Sequence, residues 1–309
     1  MEMKQKKHRM KLSAGEKVFN IVNYTFLTLI FVTTLYPLIY VLSASVSDPS
    51  AVASGEMILW PVNPSWDGYE YAFKYKDIWT GYANTIFYTV VGTILNLLVT
   101  LPAAYALSRK DMEGRGFIMT LFIITMYFGG GLIPGYLNMN SFGLVNTRGA
   151  LLIGGLVNTY NLIVARTFFA NNIPWELQEA AYLDGASTFK LFMKVIIPLS
   201  APIIVVMTLY YGINHWNQYF GALVYLRDRE LFPLQVFLRE ILTQSQFSAD
   251  ALTEGGYTAE EIAEMLRMSD TANRIKYCII VLSAAPMLAI YPWLQKYFAK
   301  GVMVGSVKG

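Results

Sequence analysis

Six blocks of apolar sequence, each long enough to cross a bilayer as a helix, constrain this chain more than any other feature. They run roughly over residues 20–45, 81–108, 117–140, 149–170, 197–221 and 275–297. A hydrocarbon core takes about 20 helical residues to cross. The intervening segments are polar or rich in turn residues, as in Arg109–Gly116. A lone strand in lipid leaves its backbone groups unpaired, so each block is expected to be a helix. Composition agrees, with 55% hydrophobic residues, 15% charged residues and a mean hydropathy of +0.40. The expected fold is all-α and polytopic: a basic N-terminus over 1–19, a six-helix transmembrane domain over 20–297 and a tail over 298–309. Cys278 is the single cysteine, so an internal disulfide and a cysteine zinc site are excluded, and it reads as an apolar packing residue.

Orientation follows from charge. With the N-terminus inside, the inner segments 1–19, 109–116, 166–196 and 296–309 hold 15 of the 24 Lys and Arg but 7 of the 21 Asp and Glu. The opposite orientation places most basic residues outside, against the positive-inside rule. The run Lys4, Lys6, Lys7, Arg9, Lys11 decides the matter and puts both termini in the cytoplasm. A cleaved signal peptide is the competing reading, invited by Ala51-Val52-Ala53. The apolar run Ile21–Val46 is about twice the length of a signal core, which favours a retained first helix.

None of the six blocks carries Asp, Glu or Lys in its interior, and Arg166 lies near a cytoplasmic end. Proton- and voltage-driven machines place ionisable groups at membrane depth, so this pattern disfavours them. A stand-alone secondary transporter or channel for a small polar solute is the alternative; sodium sites built from carbonyls and hydroxyls stay compatible with it. No paired carboxylates or nucleophile–base arrangement lies at membrane depth, which speaks against an enzyme. The chain also lacks a G-x-x-x-x-G-K-[ST] loop and any Gly-Lys dipeptide, so nucleotide would have to be bound by another chain.

Between the fourth and fifth blocks, residues 172–198 read as a short helix, a turn and a second helix. Asn172 is a cap candidate, Pro174 suits a first turn, and Glu176 and Glu179 lie toward the positive helix end. Asp184-Gly185 makes the break and Ser187 caps the second helix, while Pro198 marks the entry into the next span. An amphipathic loop lying on the membrane is the plain reading. The acid Glu179 beside two small residues, Ala180 and Ala181, suggests instead a knob onto which another surface can close.

Glu179, Ala180, Ala181, Gly185, Val195, Ile197 and Pro198 resemble the EAA loop of ABC-importer permeases, and Asp184 and Ala186 match its Asp-Gly-Ala variant in carbohydrate-uptake permeases. Val195 and Ile197 stand where Ile and Leu are commoner. Gly143–Thr147, Trp216-Asn217 and the tail 300–309 extend the likeness over most of the chain, toward the branch related to the second permease of the maltose transporter. The resemblance implies the type I importer permease fold and transport of carbohydrate, an oligosaccharide above all. It implies a second permease subunit, two ATPase subunits holding ATP and magnesium, and an extracytoplasmic solute-binding protein, with no cofactor on this chain. It further implies alternating access in a bacterial cytoplasmic membrane, surrounded by lipid and without nucleic acid.

Amides and aromatics that suit a sugar path occur at helical spacing in the fifth block: Tyr210, Asn214, Asn217 and Gln218 are expected on one face. Polar amides in such a helix avoid lipid and point to a pore or a neighbouring helix. Asn158 and Asn161 in the fourth block carry the same two readings. Gly129-Gly130-Gly131 with Pro134-Gly135 should loosen or break the third block, with a packing kink the favoured reading. His215 has no second His, Cys or nearby carboxylate in sequence, which argues against a metal. In the long outer loop 222–274, Thr258–Met268 reads as a short amphipathic helix capped by Thr258 and placed over the pore mouth or against the binding protein, with a solvated acidic loop as the alternative.

Overall fold

The computed structural model describes residues 13–254, 258, 260–261, 272–290 and 292, and every regular element among them is helical. The basic run 4–11 and the tail 298–309 lie outside the described residues. Among the described residues, three helices are long and apolar enough to cross a membrane: α1 (Ala14–Ser45), α4 (Lys76–Ser108) and α14 (Ala272–Ile290). Between α1 and α4 lie two short helices, α2 (Pro49–Ala53) and α3 (Asp67–Lys74). The capping box of Ser13 and Glu16 starts α1, with Glu16 Oε2 accepting from the Ser13 N–H at 2.7 Å. Nearly all of α1 before Tyr40 stands clear of the other helices, and only its last residues, Ser43–Ser45, are buried.

The remaining blocks are not the single continuous helices expected. The third is a pair, α5 (Arg115–Tyr127) and α6 (Leu132–Ser141), bent by 118°. Gly129–Gly131 opens it fully, with Gly131 at φ +88°, where a side chain would be strained. The fourth divides into α7 (Arg148–Ile153) and α8 (Thr159–Asn172) around Gly154-Gly155. The fifth turns by 82° between α10 (Thr188–Leu199) and α11 (Ala201–Trp216). Pro198 has no N–H to give, and the turn before it widens so that the Ile197 N–H reaches the Phe192 carbonyl.

Helix α4 is the centre of the bundle. Gly81, Thr85, Tyr88, Gly92, Asn96, Thr100 and Ala104 follow one another at intervals of three or four and are all buried. Ile86, Val90, Ile94 and Leu98 are exposed on the opposite side. Lipid is as apolar as leucine, so helices in it associate through close packing and hydrogen bonds, which small and polar residues provide. Accordingly α8 and α11 pack on this stripe, and the principal core gathers Leu101, Ala104, Leu162, Ala165, Phe169, Leu191, Ile196, Ile203 and Met207.

The outer region departs from expectation. After α12 (Phe220–Tyr225) and a 3-10 turn at Arg229–Leu231 comes a 21-residue helix, α13 (Leu234–Glu254). Leu234 and Ile241 join Ile78 and Ile279 in a second core, and α4 holds the approach to this helix. Asn84 Nδ2 donates to the Glu230 and Phe232 carbonyls at 2.7 and 3.1 Å, and the Leu234 N–H donates to Thr85 Oγ1 at 2.8 Å. Thr258 and Glu261 cap each other reciprocally, but most of Thr258–Met268 lies outside the described residues.

Candidate functional site

The segment 172–198, read from the sequence as a docking knob, is α9 (Trp175–Leu183), a turn, and α10. Asn172 does not cap α9: it is the last residue of α8 and its Nδ2 donates back to the Phe168 carbonyl at 3.0 Å, leaving Pro174 at the N-cap. Gly185 makes the turn at φ +74°, and Ser187 Oγ accepts from the Lys190 N–H at 3.3 Å to start α10. Glu179, Ala180, Asp184 and Gly185 are exposed, whereas Ala181 packs toward the core. On the same segment Leu183 is 89% and Phe189 74% exposed, so an acid and two large apolar side chains are open to a partner there. Trp175 Nε1 donates to Glu179 Oε1 at 2.8 Å and holds that acid in place.

Beneath this surface the segment is tied to the end of α4. Gln178 is buried, and its Oε1 accepts from the Tyr105 hydroxyl at 3.1 Å. The Tyr105 ring packs on Phe169 and Phe192, at 5.8 and 5.2 Å between centroids. Arg109, the residue after α4, donates to the Tyr182 hydroxyl at 2.5 Å and forms a two-pronged pair with Asp111. The hydrogen bonds it donates to Asp111 raise the Arg109 pKa above its ordinary value despite partial burial, and in return Arg109 lowers that of Asp111.

The candidate path residues divide. Asn158, Asn161, Tyr210 and Asn214 line one cleft of about 480 Å³, together with Tyr160 and Tyr211. Asn217 lines a different, more apolar cavity of about 400 Å³ with Trp216, Ile280 and Met287. Gln218 turns toward His215, its Oε1 3.4 Å from Nδ1. The reason is that α11 ends at Trp216, so its 100° periodicity does not extend to 217 and 218. Asn158 also caps α8, accepting from the Asn161 N–H at 3.1 Å.

The cleft rests on α4 through contacts between residues far apart in sequence. Asn96 Nδ2 donates to the carbonyls of Gly155 and Leu156, both at 2.9 Å, and so satisfies the open backbone of the break. Irregular backbone at membrane depth persists only when its polar groups are met in this way. Asn96 Oδ1 lies 2.7 Å from His215 Nε2, which places the Nε2 proton on the ring in this contact. The Tyr211 hydroxyl joins Thr100 Oγ1 at 2.7 Å and accepts from the Asn158 N–H at 3.3 Å. His215 is therefore an internal strut.

Sequence reading did not single out Asn96, Arg109, Thr100 or Gln178. One amide and three hydroxyls among small residues on the buried stripe of α4 were the available signal for the first and third. Asn146, within the Gly143–Thr147 stretch, adopts φ +60° and its Oδ1 accepts from the Arg227 and Asp228 N–H groups, both at 2.9 Å. It clamps the α6–α7 turn to the segment after α12.

With this geometry in place, the likenesses to known proteins are informative. Residues 78–304 match the profile of the family described as binding-protein-dependent transport system inner membrane component. Protein LplC of Bacillus subtilis (strain 168) is 35% identical over 98% of this chain and 99% of its own length. The polygalacturonan/rhamnogalacturonan transport system permease protein YtcP of the same organism is 36% identical, over 95% and 99% respectively. A chain in the crystal structure of a bacterial ABC transporter involved in the import of the acidic polysaccharide alginate superposes with a TM-score of 0.81. It is 37% identical and the match covers 94% of this chain and 99% of that one. These likenesses favour the importer over the stand-alone transporter or channel, and membership implies a multi-pass inner-membrane protein working with a partner permease, an ATPase and a binding protein. The chain is an ABC-importer permease, not an enzyme, and belongs to the family of binding-protein-dependent transport system inner membrane components.

Proposed function

We propose that this permease forms half of a pore for an oligosaccharide derived from a carboxylated polysaccharide, and that α9 and α10 receive the stroke of a separate ATPase. The observation that carries the reading is the cleft of Asn158, Asn161, Tyr210, Tyr211 and Asn214 inside otherwise apolar blocks. Amides offer donors and acceptors to sugar hydroxyls, and tyrosines add ring faces and hydroxyls. Its lining carries no carboxylate that would repel an anionic sugar. The names of the YtcP relative and of the alginate importer support the choice of substrate class.

In this reading the N-terminus, the 109–116 turn and the coupling segment face the cytoplasm, as the distribution of Lys and Arg favours. A solute-binding protein delivers sugar at the outer face. Two ATPase subunits bind ATP and magnesium; Glu179, Ala180, Ala181, Asp184, Gly185 and Pro198 form and shape the surface on which one of them closes. Closure shifts α9 and α10, the helices rock, and the half-pore with its partner permease opens to the outside. Reconstituting both permeases, the ATPases and the binding protein in vesicles tests this. ATP-dependent accumulation of galacturonate or alginate oligomers in preference to neutral maltooligosaccharides is expected. Transport by this chain alone, without an ATPase, contradicts it.

A further inference from the structure

We propose that Arg109 is the positioning residue that transmits movement of the coupling helix to α4 and, along α4, to the cleft. This rests on the reading that α9 docks an ATPase. The Arg109 side chain is 13% exposed although it sits at the polar end of the helix. Three rings surround its guanidinium at 5.9 Å (Tyr105), 5.9 Å (Trp175) and 5.5 Å (Tyr182). Tyr105 belongs to the last turn of α4, whereas Trp175 and Tyr182 lie near the two ends of α9. One planar cation thus holds both ends of the coupling helix against the end of α4.

The hydrogen bonds point the same way. A guanidinium that served only to finish α4 would be spent on that helix's own terminal carbonyls. The backbone N–H of Arg109 closes α4 on the Ala106 carbonyl, while its guanidinium bonds go to Asp111, the Tyr182 hydroxyl and, at 3.5 Å, the Tyr105 hydroxyl. Its own carbonyl accepts from Arg115 Nη1 at 2.8 Å, so the backbone is fixed as well. Trp175, one wall of the cage, is the residue that holds Glu179. From Arg109 to Asn96 is about 20 Å of α-helix, at 1.5 Å per residue. At the far end Asn96 and Thr100 hold the Gly155, Leu156, Tyr211 and Asn158 frame of the cleft. Pro102 lies within this stretch and has no N–H to give the Leu98 carbonyl, so α4 is a helix held at both ends with one weakened turn between, and it can carry a displacement between the two sites.

The test is a ratio, ATP hydrolysed per sugar imported, in the complete reconstituted importer. It is measured for Arg109→Met, Arg109→Lys and Tyr182→Phe. A rise of about tenfold is expected for Arg109→Met, the scale of a lost charge-assisted hydrogen bond. A smaller rise is expected for Arg109→Lys, because an ammonium has neither the fork nor the flat face of a guanidinium. Loss of folding alone would lower hydrolysis and import together and leave the ratio unchanged. Tyr182→Phe removes one hydroxyl and keeps the ring, so it decides the matter if Arg109→Met does not assemble; an unchanged ratio overturns the inference. Docking is followed in parallel with a photo-crosslinker on Leu183→Cys, the native Cys278 being buried. A cross-link to the ATPase that persists beside an unchanged ratio overturns transmission by Arg109 and leaves docking intact. No cross-link in the otherwise native chain overturns both.

Discussion

The His215 ring occupies the space that Gly92 leaves open: a Cβ at position 92 would lie 2.5 Å from both Cε1 and Nε2 of the imidazole. Asn96, one turn along α4, holds the same ring at 2.7 Å, so the ring has little room to retreat. Gly92→Ala should therefore either separate α4 from α11 or strip Asn96 Oδ1 of its partner. Overpacking and an unmet buried acceptor each cost about 1–3 kcal/mol. Thermal unfolding in detergent should show a clear drop for Gly92→Ala. Adding His215→Ala removes the clash, so the double variant should be less destabilised than the sum of the two single ones. Strict additivity would contradict this account of the packing.

Physical range decided what could be read from the sequence. The coupling segment was legible because its turn and second-helix cap are local: Gly185, Ser187 and Pro198 act on neighbours within a few residues. The opening of the third block at Gly129–Gly131 was legible in kind, but its 118° was not, since the angle is not a local property. The break in the fourth block was missed because Gly154-Gly155 sits in apolar surroundings and is stabilised by Asn96, about 60 residues earlier. Arg109 was missed because Tyr182 is 73 residues away. Helix α13 carries its signal in its period, since Leu234, Phe237, Leu238 and Ile241 have helical spacing, but they sit inside a stretch whose polarity suggests a loop.

The separation of Asn214 from Asn217 gives a discriminating experiment. Asn214 lines the polar cleft and Asn217 the apolar one. Asn214→Leu should reduce the maximal rate of sugar uptake about tenfold or more, the loss expected when a site built to bond a hydroxyl can no longer do so. Asn217→Leu should change it far less. Affinity of the isolated binding protein for sugar is set in another chain and should be the same throughout. Equal losses in both variants would remove the cleft as the path.

Asp111 and Arg109 make a prediction about pH. The hydrogen bond from Arg109 holds the Asp111 carboxyl below the ordinary carboxylate range. A group lowered on folding stabilises the folded chain above its unfolded value and loses that effect as pH falls through its folded value. The difference in unfolding temperature between the native chain and Asp111→Asn should therefore be constant from about pH 5 to 8 and shrink below about pH 4. The Asp111 side chain is 48% exposed, so solvent screening keeps the difference small. A difference that grows on acidification would contradict the pairing.

Gly185 separates the shape of the coupling segment from its charge. Its φ of +74° is one that a side chain adopts at a cost, yet an added Cβ would meet no atom within 4 Å. Gly185→Ala should thus distort the turn at a cost of about 1 kcal/mol without any clash inside the chain. Gly185→Trp adds bulk directed at whatever docks there. Glu179→Ala leaves the turn intact and removes only the acid that Trp175 holds. If the segment receives an ATPase, all three variants should reach the membrane and assemble less tightly with it, with Gly185→Trp the most severe. Co-purification of the ATPase and uptake per complex measure the two effects separately. Gly185→Trp with native co-purification and native uptake would show that the surface bearing Leu183, Asp184 and Phe189 is not where the ATPase closes.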